Sequence, residues 1–242
     1  MIKTKDFEIA EYAKGDPDSR QLALILPGRL DTKDYIHMTS LVDRLANEGY
    51  YAISFDPPGS WGSPGDIGLY TTTNYLKAVG ELIEHFGNRP TLLVGHSRGG
   101  TIAMIVGCSN PNVTRFVAIM SYHGPALGAL PDHRGEVKRS GRDLPPGATK
   151  TSEQKWFDLP YSYFEDQQQY EAIDALKACT KPKLFFYGTE DQLVSKEDVM
   201  ESYNASAEPK LIHELKSEHN YRLHPEIIQE VNTAIIKFAA DN

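Results

Sequence analysis

Cysteine is scarce in this chain: Cys108 and Cys179 are the only two among 242 residues. Two thiols make no disulfide framework and fit a reducing compartment. Positive charge is in deficit, with 25 Lys and Arg against 33 Asp and Glu and a net charge of −8. That balance excludes general binding to nucleic acid or to an anionic membrane surface. No apolar run approaches the roughly 20 residues that span a bilayer. Met1-Ile2-Lys3-Thr4-Lys5-Asp6 lacks the apolar core of a signal peptide. A cytoplasmic protein without stable membrane anchoring is the expectation. Repeats and low-complexity tracts are missing too, which excludes solenoids and repeat arrays, and oligomeric state has no signature. What is present is a 40% hydrophobic fraction, enough for a substantial core, in a length that suits one domain over residues 1–242.

Strand-like and helix-like segments alternate along the chain. Strands are expected at Phe7–Tyr12, Leu22–Leu26, Tyr51–Phe55, Thr91–Val94, Arg115–Met120, Lys183–Tyr187 and Lys210–Leu215. Helices are expected at Met38–Asn47, Thr73–Phe86, from Gly100 onward, at Lys196–Tyr203, and from Pro225, where Pro at the first turn followed by Glu226 marks a helix start. Leu22-Ala23-Leu24-Ile25-Leu26 is apolar without interruption, as in a strand covered on both faces. Such alternation implies an α/β class: a mostly parallel sheet with helices on both faces.

Gly95-His96-Ser97-Arg98-Gly99 is a G-x-S-x-G pentapeptide with a strand pattern before it and a helix pattern after it. A strand running directly into a helix forces a sharp turn. The serine at its apex is held in a strained conformation, and the flanking glycines let the two elements approach without Cβ clashes. The hydroxyl is then presented at the carboxyl edge of the sheet, beside a helix amino terminus that favours an anion.

A serine hydroxyl needs a base, and the base an orienting carboxylate. After Lys183–Tyr187 the chain reads Gly188-Thr189-Glu190-Asp191, and after Lys210–Leu215 it reads Lys216-Ser217-Glu218-His219. A carboxylate and an imidazole thus follow successive strands, in the order Ser97, Asp191, His219. Asp191 is preferred over its neighbour Glu190. His219 is preferred over His213, which lies within a strand, and over His224, which precedes a helix. The three histidines do not match H-E-x-x-H spacing, so neither metal nor cofactor is expected. For a tetrahedral oxyanion, the backbone N–H of Arg98 follows the nucleophile, and that of Arg29 in Pro27-Gly28-Arg29-Leu30 supplies a second donor.

Residues 122–165 break the alternation, with Pro125, Pro131, Pro145, Pro146 and Pro160 and the basic group Arg134, Lys138, Arg139 and Arg142. A loop this long in a compact domain usually carries function. It reads as an insertion over the site, with Trp156, Phe157, Tyr161, Tyr163 and Phe164 as candidate pocket walls, joined by His96 and His123.

With these motifs the chain resembles the α/β-hydrolases over nearly its whole length. The likeness rests on Pro27-Gly28-Arg29, the Asp56-to-Ser63 loop, Gly95–Gly99, Gly188–Asp191 and Glu218-His219. The Gly28-to-Asp34 stretch and the run through Gly100 resemble small intracellular esterases of the feruloyl/cinnamoyl-esterase and acylglycerol-lipase kind. Two positions depart from the pattern: Pro27 and Ser60 stand where the family commonly has histidine. The resemblance implies an α/β-hydrolase fold with a lid or insertion after the sixth strand, Ser97 as nucleophile, His219 as general base, Asp191 as its orienter, and the N–H groups of Arg29 and Arg98 as oxyanion hole. The expected activity is a carboxylesterase-type serine hydrolase acting on a small or medium acyl ester. A C–C bond hydrolase of dicarbonyl compounds, or a ligand-binding protein on a hydrolase scaffold, stays open beside it.

Overall fold

An unbroken apolar strand needs cover on both faces, and Leu22–Leu26 has it: every one of its five residues is buried. The computed structural model describes residues 1–125 and 135–240. In chain order the elements are β1 (Ile2–Lys3), β2 (Glu8–Ile9), β3 (Glu11–Lys14), β4 (Leu22–Leu26), α1 (Ile36–Asn47), β5 (Tyr51–Phe55), α2 (Thr72–His85), β6 (Thr91–His96), α3 (Arg98–Ser109) and β7 (Val113–Ile119). There follow β8 (Val137–Asp143), β9 (Gln154–Pro160), α4 (Tyr161–Gln167), α5 (Ile173–Ala178), β10 (Lys183–Gly188), α6 (Lys196–Ala205), β11 (Lys210–Leu215) and α7 (Pro225–Ala240).

The main sheet has seven strands in the order β11-β10-β7-β6-β4-β5-β3. Edge strand β3 is antiparallel to β5, and the others run parallel. Strand alternation sorts the two faces. Leu22, Leu24 and Leu26 pack with α2 and α3 residues such as Val79 and Ile102. Ala23 and Ile25 pack with α1 and α7 residues such as Leu41 and Val231. At the start of α6 a reciprocal capping box joins Ser195 and Asp198. Among the described residues no helix is long and apolar enough to cross a membrane.

Two regions differ from the sequence reading. The single strand expected at Phe7–Tyr12 is divided: β2 pairs with β1, whereas β3 joins the main sheet. The break is at Ala10, whose N–H donates to Ser63 Oγ (2.9 Å). The insertion holds regular structure, an antiparallel hairpin of β8 and β9 followed by α4. It leaves the sheet after β7, the fifth main-sheet strand in chain order, because β1 and β2 pair only with each other. The part of the insertion at 126–134, with Pro131 and Arg134, lies outside the described residues. Strand β8 reads Val137-Lys138-Arg139-Ser140-Gly141-Arg142-Asp143, with none of the apolar alternation that betrays a strand. Tertiary contacts hold it instead. Arg222 pairs with Asp143 (2.5 Å) and binds the Gly147 carbonyl, and Tyr35 OH donates to the Asp143 carbonyl (2.8 Å). A third cluster, of Leu30, Tyr70, Phe157, Leu159, Tyr163 and Phe164, fills the space beneath the hairpin.

Candidate active site

Ser97 joins β6 to α3 with φ 53° and ψ −123°, a strained turn for a residue with a side chain. Packing enforces it. A Cβ on Gly95 would lie 2.0 Å from the Gly99 carbonyl oxygen, and one on Gly99 would lie 2.0 Å from that of Leu26. The parallel registers bring the carboxyl ends of β6, β10 and β11 to one edge, and the loops beyond β10 and β11 are tied together by Glu190 N–H to the Ser217 carbonyl (3.1 Å).

At that edge three side chains form a hydrogen-bonded series. His219 Nε2 lies 2.9 Å from Ser97 Oγ, and His219 Nδ1 lies 2.7 Å from Asp191 Oδ2. The consistent tautomer has Nδ1–H donating to the carboxylate and Nε2 accepting from the hydroxyl. Asp191 Oδ1 also accepts from the N–H groups of Leu193 (2.8 Å) and Val194 (2.9 Å). Burial alone would raise the Asp191 pKa, but His219 and these two N–H groups outweigh it and hold the carboxyl below its ordinary value. Glu190 points to solvent. His213 lies 2.8 Å from Glu230, and His224 lies between Glu218 and Glu226, so neither reaches the series.

Gly28 abuts Ser97: a Cβ on it would come within 3.4 Å of the serine Cβ. The loop carrying Arg29 therefore passes directly beside the hydroxyl. Among the described residues, neither Arg29 nor Arg98 uses its backbone N–H in a turn or loop hydrogen bond. With Pro27 in place of histidine, the bracing of this loop comes from elsewhere. Tyr75 OH donates to the Pro27 carbonyl (3.1 Å), Leu30 N–H to Tyr70 OH (2.6 Å), and Trp61 Nε1 to the Leu30 carbonyl (2.8 Å). Arg142 adds two bonds to the Arg29 carbonyl, at 3.0 and 2.7 Å. Ser60, the second departure, turns its hydroxyl to the Pro57 carbonyl (2.7 Å) and closes its own loop.

Beneath the series lies a second polar group. His96 Nε2 meets the His219 carbonyl (3.1 Å), and its Nδ1 lies 3.6 Å from Asp31 Oδ2. His37 stands edge-on to His96, with ring centroids 5.6 Å apart. Burial, and after it the neighbouring His219, lower the His96 pKa. Burial would raise the Asp31 carboxyl, yet the His96 ring 3.6 Å away and the charge of Arg142 hold it well below its usual range. Asp31, His37 and His96 bring three donor atoms within 4.8 Å of one another, a grouping that no sequence spacing announced. Asp31 faces Arg142 at 3.6 Å, which balances its charge within the protein, and His96 braces the His219 backbone through the bond to its carbonyl.

A cavity of about 510 Å³ opens over Ser97 and His219, and His96, Arg29, Arg98 and Tyr163 reach its wall. Five expected wall residues do not, among them Phe164, which packs into the cluster under the hairpin. Phe157 turns into the cluster under the hairpin, edge-on to Trp61, so Trp156 next to it on the strand faces outward, 54% exposed. Tyr161 opens α4 away from the cavity, and His123 sits between Glu171 and Glu201, each 3.3 Å away. In their place the hairpin contributes Lys138, Gly141, Arg142 and Asp143.

Comparison with known proteins agrees with this architecture. Among curated proteins, the mouse mitochondrial palmitoyl-protein thioesterase ABHD10 is 22% identical over 178 residues. The match covers 71% of this chain and spans 59% of the length of that relative. The solved structure of mouse alpha/beta hydrolase domain-containing protein 10 superposes with a TM-score of 0.78 at 19% identity, covering 99% of this chain and 96% of the other. Est1E from Butyrivibrio proteoclasticus, solved with ferulic acid bound, superposes with a TM-score of 0.77 at 15% identity, covering 99% of both chains. At these identities the likeness is one of fold. A family model described as alpha/beta hydrolase matches residues 23–228, from the first buried strand to the last helix, and the chain belongs to that family.

Proposed function

We propose that the chain is a serine hydrolase that cleaves carboxylic esters of small or medium acyl groups through an acyl-enzyme. The observation that carries this reading is the series Asp191–His219–Ser97, with links of 2.7 and 2.9 Å, aimed at the mouth of the cavity. In this mechanism His219 takes the Ser97 proton as Oγ attacks the carbonyl, and Asp191 stabilises the imidazolium that forms. The N–H groups of Arg29 and Arg98 hold the tetrahedral oxyanion. His219 then returns its proton to the leaving alcohol, and water releases the acid by the same route. A thioester follows the same path, and the thioesterase named among the relatives makes thioesters a second substrate group to assay. The volume of about 510 Å³ fits a ligand of modest size.

The experiment is hydrolysis of p-nitrophenyl esters from acetate to palmitate by wild type and by Ser97→Ala. The expected result is turnover with a short- or medium-chain optimum, lost by at least about 1,000-fold in the variant. Turnover that survives in Ser97→Ala overturns the mechanism. Absence of turnover on every ester overturns the esterase reading and favours C–C bond hydrolysis or ligand binding.

A further inference from the structure

The chain as a whole is acidic, with a net charge of −8, yet the wall of the cavity over Ser97 is basic. Six cationic side chains reach it: Arg29, Arg98, Lys138, Arg142, Lys150 and Arg222. Among the described residues only two carboxylates do, Asp31 and Asp143, and both are already matched. Asp31 Oδ1 lies 3.6 Å from Arg142 Nε, and Asp143 Oδ2 lies 2.5 Å from Arg222 Nη2. Among the described residues, Arg29, Arg98, Lys138 and Lys150 face no carboxylate at ion-pair distance.

These four charges come from separate parts of the fold: the loop after β4, the start of α3, strand β8 and the turn between β8 and β9. They share only the cavity. Arg98 is held in place by aromatic rings, its guanidinium 4.3 Å from the centre of Tyr70 and 4.8 Å from that of Tyr163. Its Nε and Nη1 are buried without a hydrogen-bond partner among the described residues. The Arg142 side chain donates from Nε and Nη2 to the Arg29 carbonyl, which sets its guanidinium beside the candidate oxyanion donors. Low-dielectric walls lined by one sign of charge focus the field and draw in counter-charged ligands. Composition does not explain this wall, since acids outnumber bases in the chain.

We infer that the enzyme selects acyl esters or thioesters carrying an anionic oxygen group, a carboxylate or a phosphate, which Arg29, Lys138 and Lys150 receive while the carbonyl lies at Ser97. The identity of the scissile bond rests on the proposed esterase reading; the anion preference rests on the charges alone. Two sources of the anion are distinguishable: a carboxylate on the acyl chain and a phosphate on the leaving group.

The test uses the full chain with Ser97→Ala, so that binding is read without turnover. Isothermal titration compares monoethyl glutarate with diethyl glutarate for the carboxylate source, and butyryl-coenzyme A with S-butyryl-N-acetylcysteamine for the phosphate source. In at least one pair the anionic member should bind about 10-fold more tightly at low salt, an advantage that shrinks as salt rises toward about 1 M. Adding Lys138→Gln and Lys150→Gln should lower the anionic-to-neutral ratio by about 3–10-fold, and the pair Lys138→Arg and Lys150→Arg should retain it. Both lysines are exposed, so the fold tolerates these changes, which circular dichroism verifies. Anionic members that bind no better than neutral ones in both pairs, or an advantage indifferent to salt and to the glutamines, overturn the inference. Wild-type turnover separates the two readings. Serine-dependent hydrolysis of neutral esters without anion preference leaves the esterase standing and removes this inference. Tight anion binding without any hydrolysis does the reverse.

Discussion

His37 lies on α1 only 2% exposed, with neither ring nitrogen hydrogen-bonded among the described residues. Its neighbours are rings, His96 at 5.6 Å and Tyr221 at 5.0 Å between centroids. Burial, and then the neighbouring His96, push its pKa from 6.5 down to about 3. A base whose folded pKa lies below its unfolded value stays neutral in the fold while the unfolded chain takes up a proton. Its effect on stability is therefore near zero above the unfolded pKa and becomes progressively unfavourable as pH falls toward the folded one. Between 6.5 and about 3 the linkage relation makes this about 2 kcal/mol lost on going from about pH 7 to about pH 5. His37→Phe keeps a ring of similar size in the same aromatic pocket and removes both the titration and two unpartnered polar atoms. At about pH 7 the variant should equal wild type or exceed it by about 1 kcal/mol. At about pH 5 its advantage should grow by a further ~2 kcal/mol. Urea unfolding followed by circular dichroism at the two pH values reads both quantities. Equal loss of stability by the two proteins between those pH values refutes the reasoning, because His37 would then be either protonated in the fold or partnered.

Three further outcomes follow from single contacts. Asp191→Asn keeps an oxygen for the N–H groups of Leu193 and Val194 but mispairs His219 Nδ1; steady-state kinetics should show kcat lower by about 1,000–10,000-fold with KM little changed. Tyr70→Phe strips the Leu30 N–H of its acceptor next to the candidate oxyanion loop, a loss of about 1–3 kcal/mol. Its mark in the same assay should be a fall in kcat that exceeds any rise in KM. Asp143→Ala leaves the guanidinium of Arg222, 8% exposed, without its carboxylate, which should cost about 3–5 kcal/mol and lower Tm by about 6–20 °C in calorimetry.

Much of the frame was legible because it depends on neighbours in the chain. The unbroken apolar strands, the stripe on α7 and the helix start at Pro225 are local patterns, and so is the glycine spacing that permits Ser97 its turn. The order of Ser97, Asp191 and His219 was readable because each follows a strand, and parallel strands deliver their carboxyl ends to one edge. Trp156, Phe157, Tyr161 and His123 show where such reading ended. Aromatic character suggested a wall, but the hairpin register and the packing under it decide which way each ring turns.

What the sequence determined by itself was the parallel α/β frame, the elbow at Ser97 and two loops able to supply a carboxylate and an imidazole. Spacing along the chain is enough to specify all of these. Only the tertiary structure decided that Asp191 and not Glu190 turns toward His219, because the imidazole that meets Asp191 Oδ2 at 2.7 Å comes from a loop 28 positions away. Tertiary structure also set Tyr70, Tyr75 and Trp61 against the loop that lacks the family's histidine, and collected on one wall of an acidic protein four positive charges that meet no carboxylate among the described residues. These contacts join residues tens of positions apart. Their energies depend on distance and burial in three dimensions, which no pattern along the chain records.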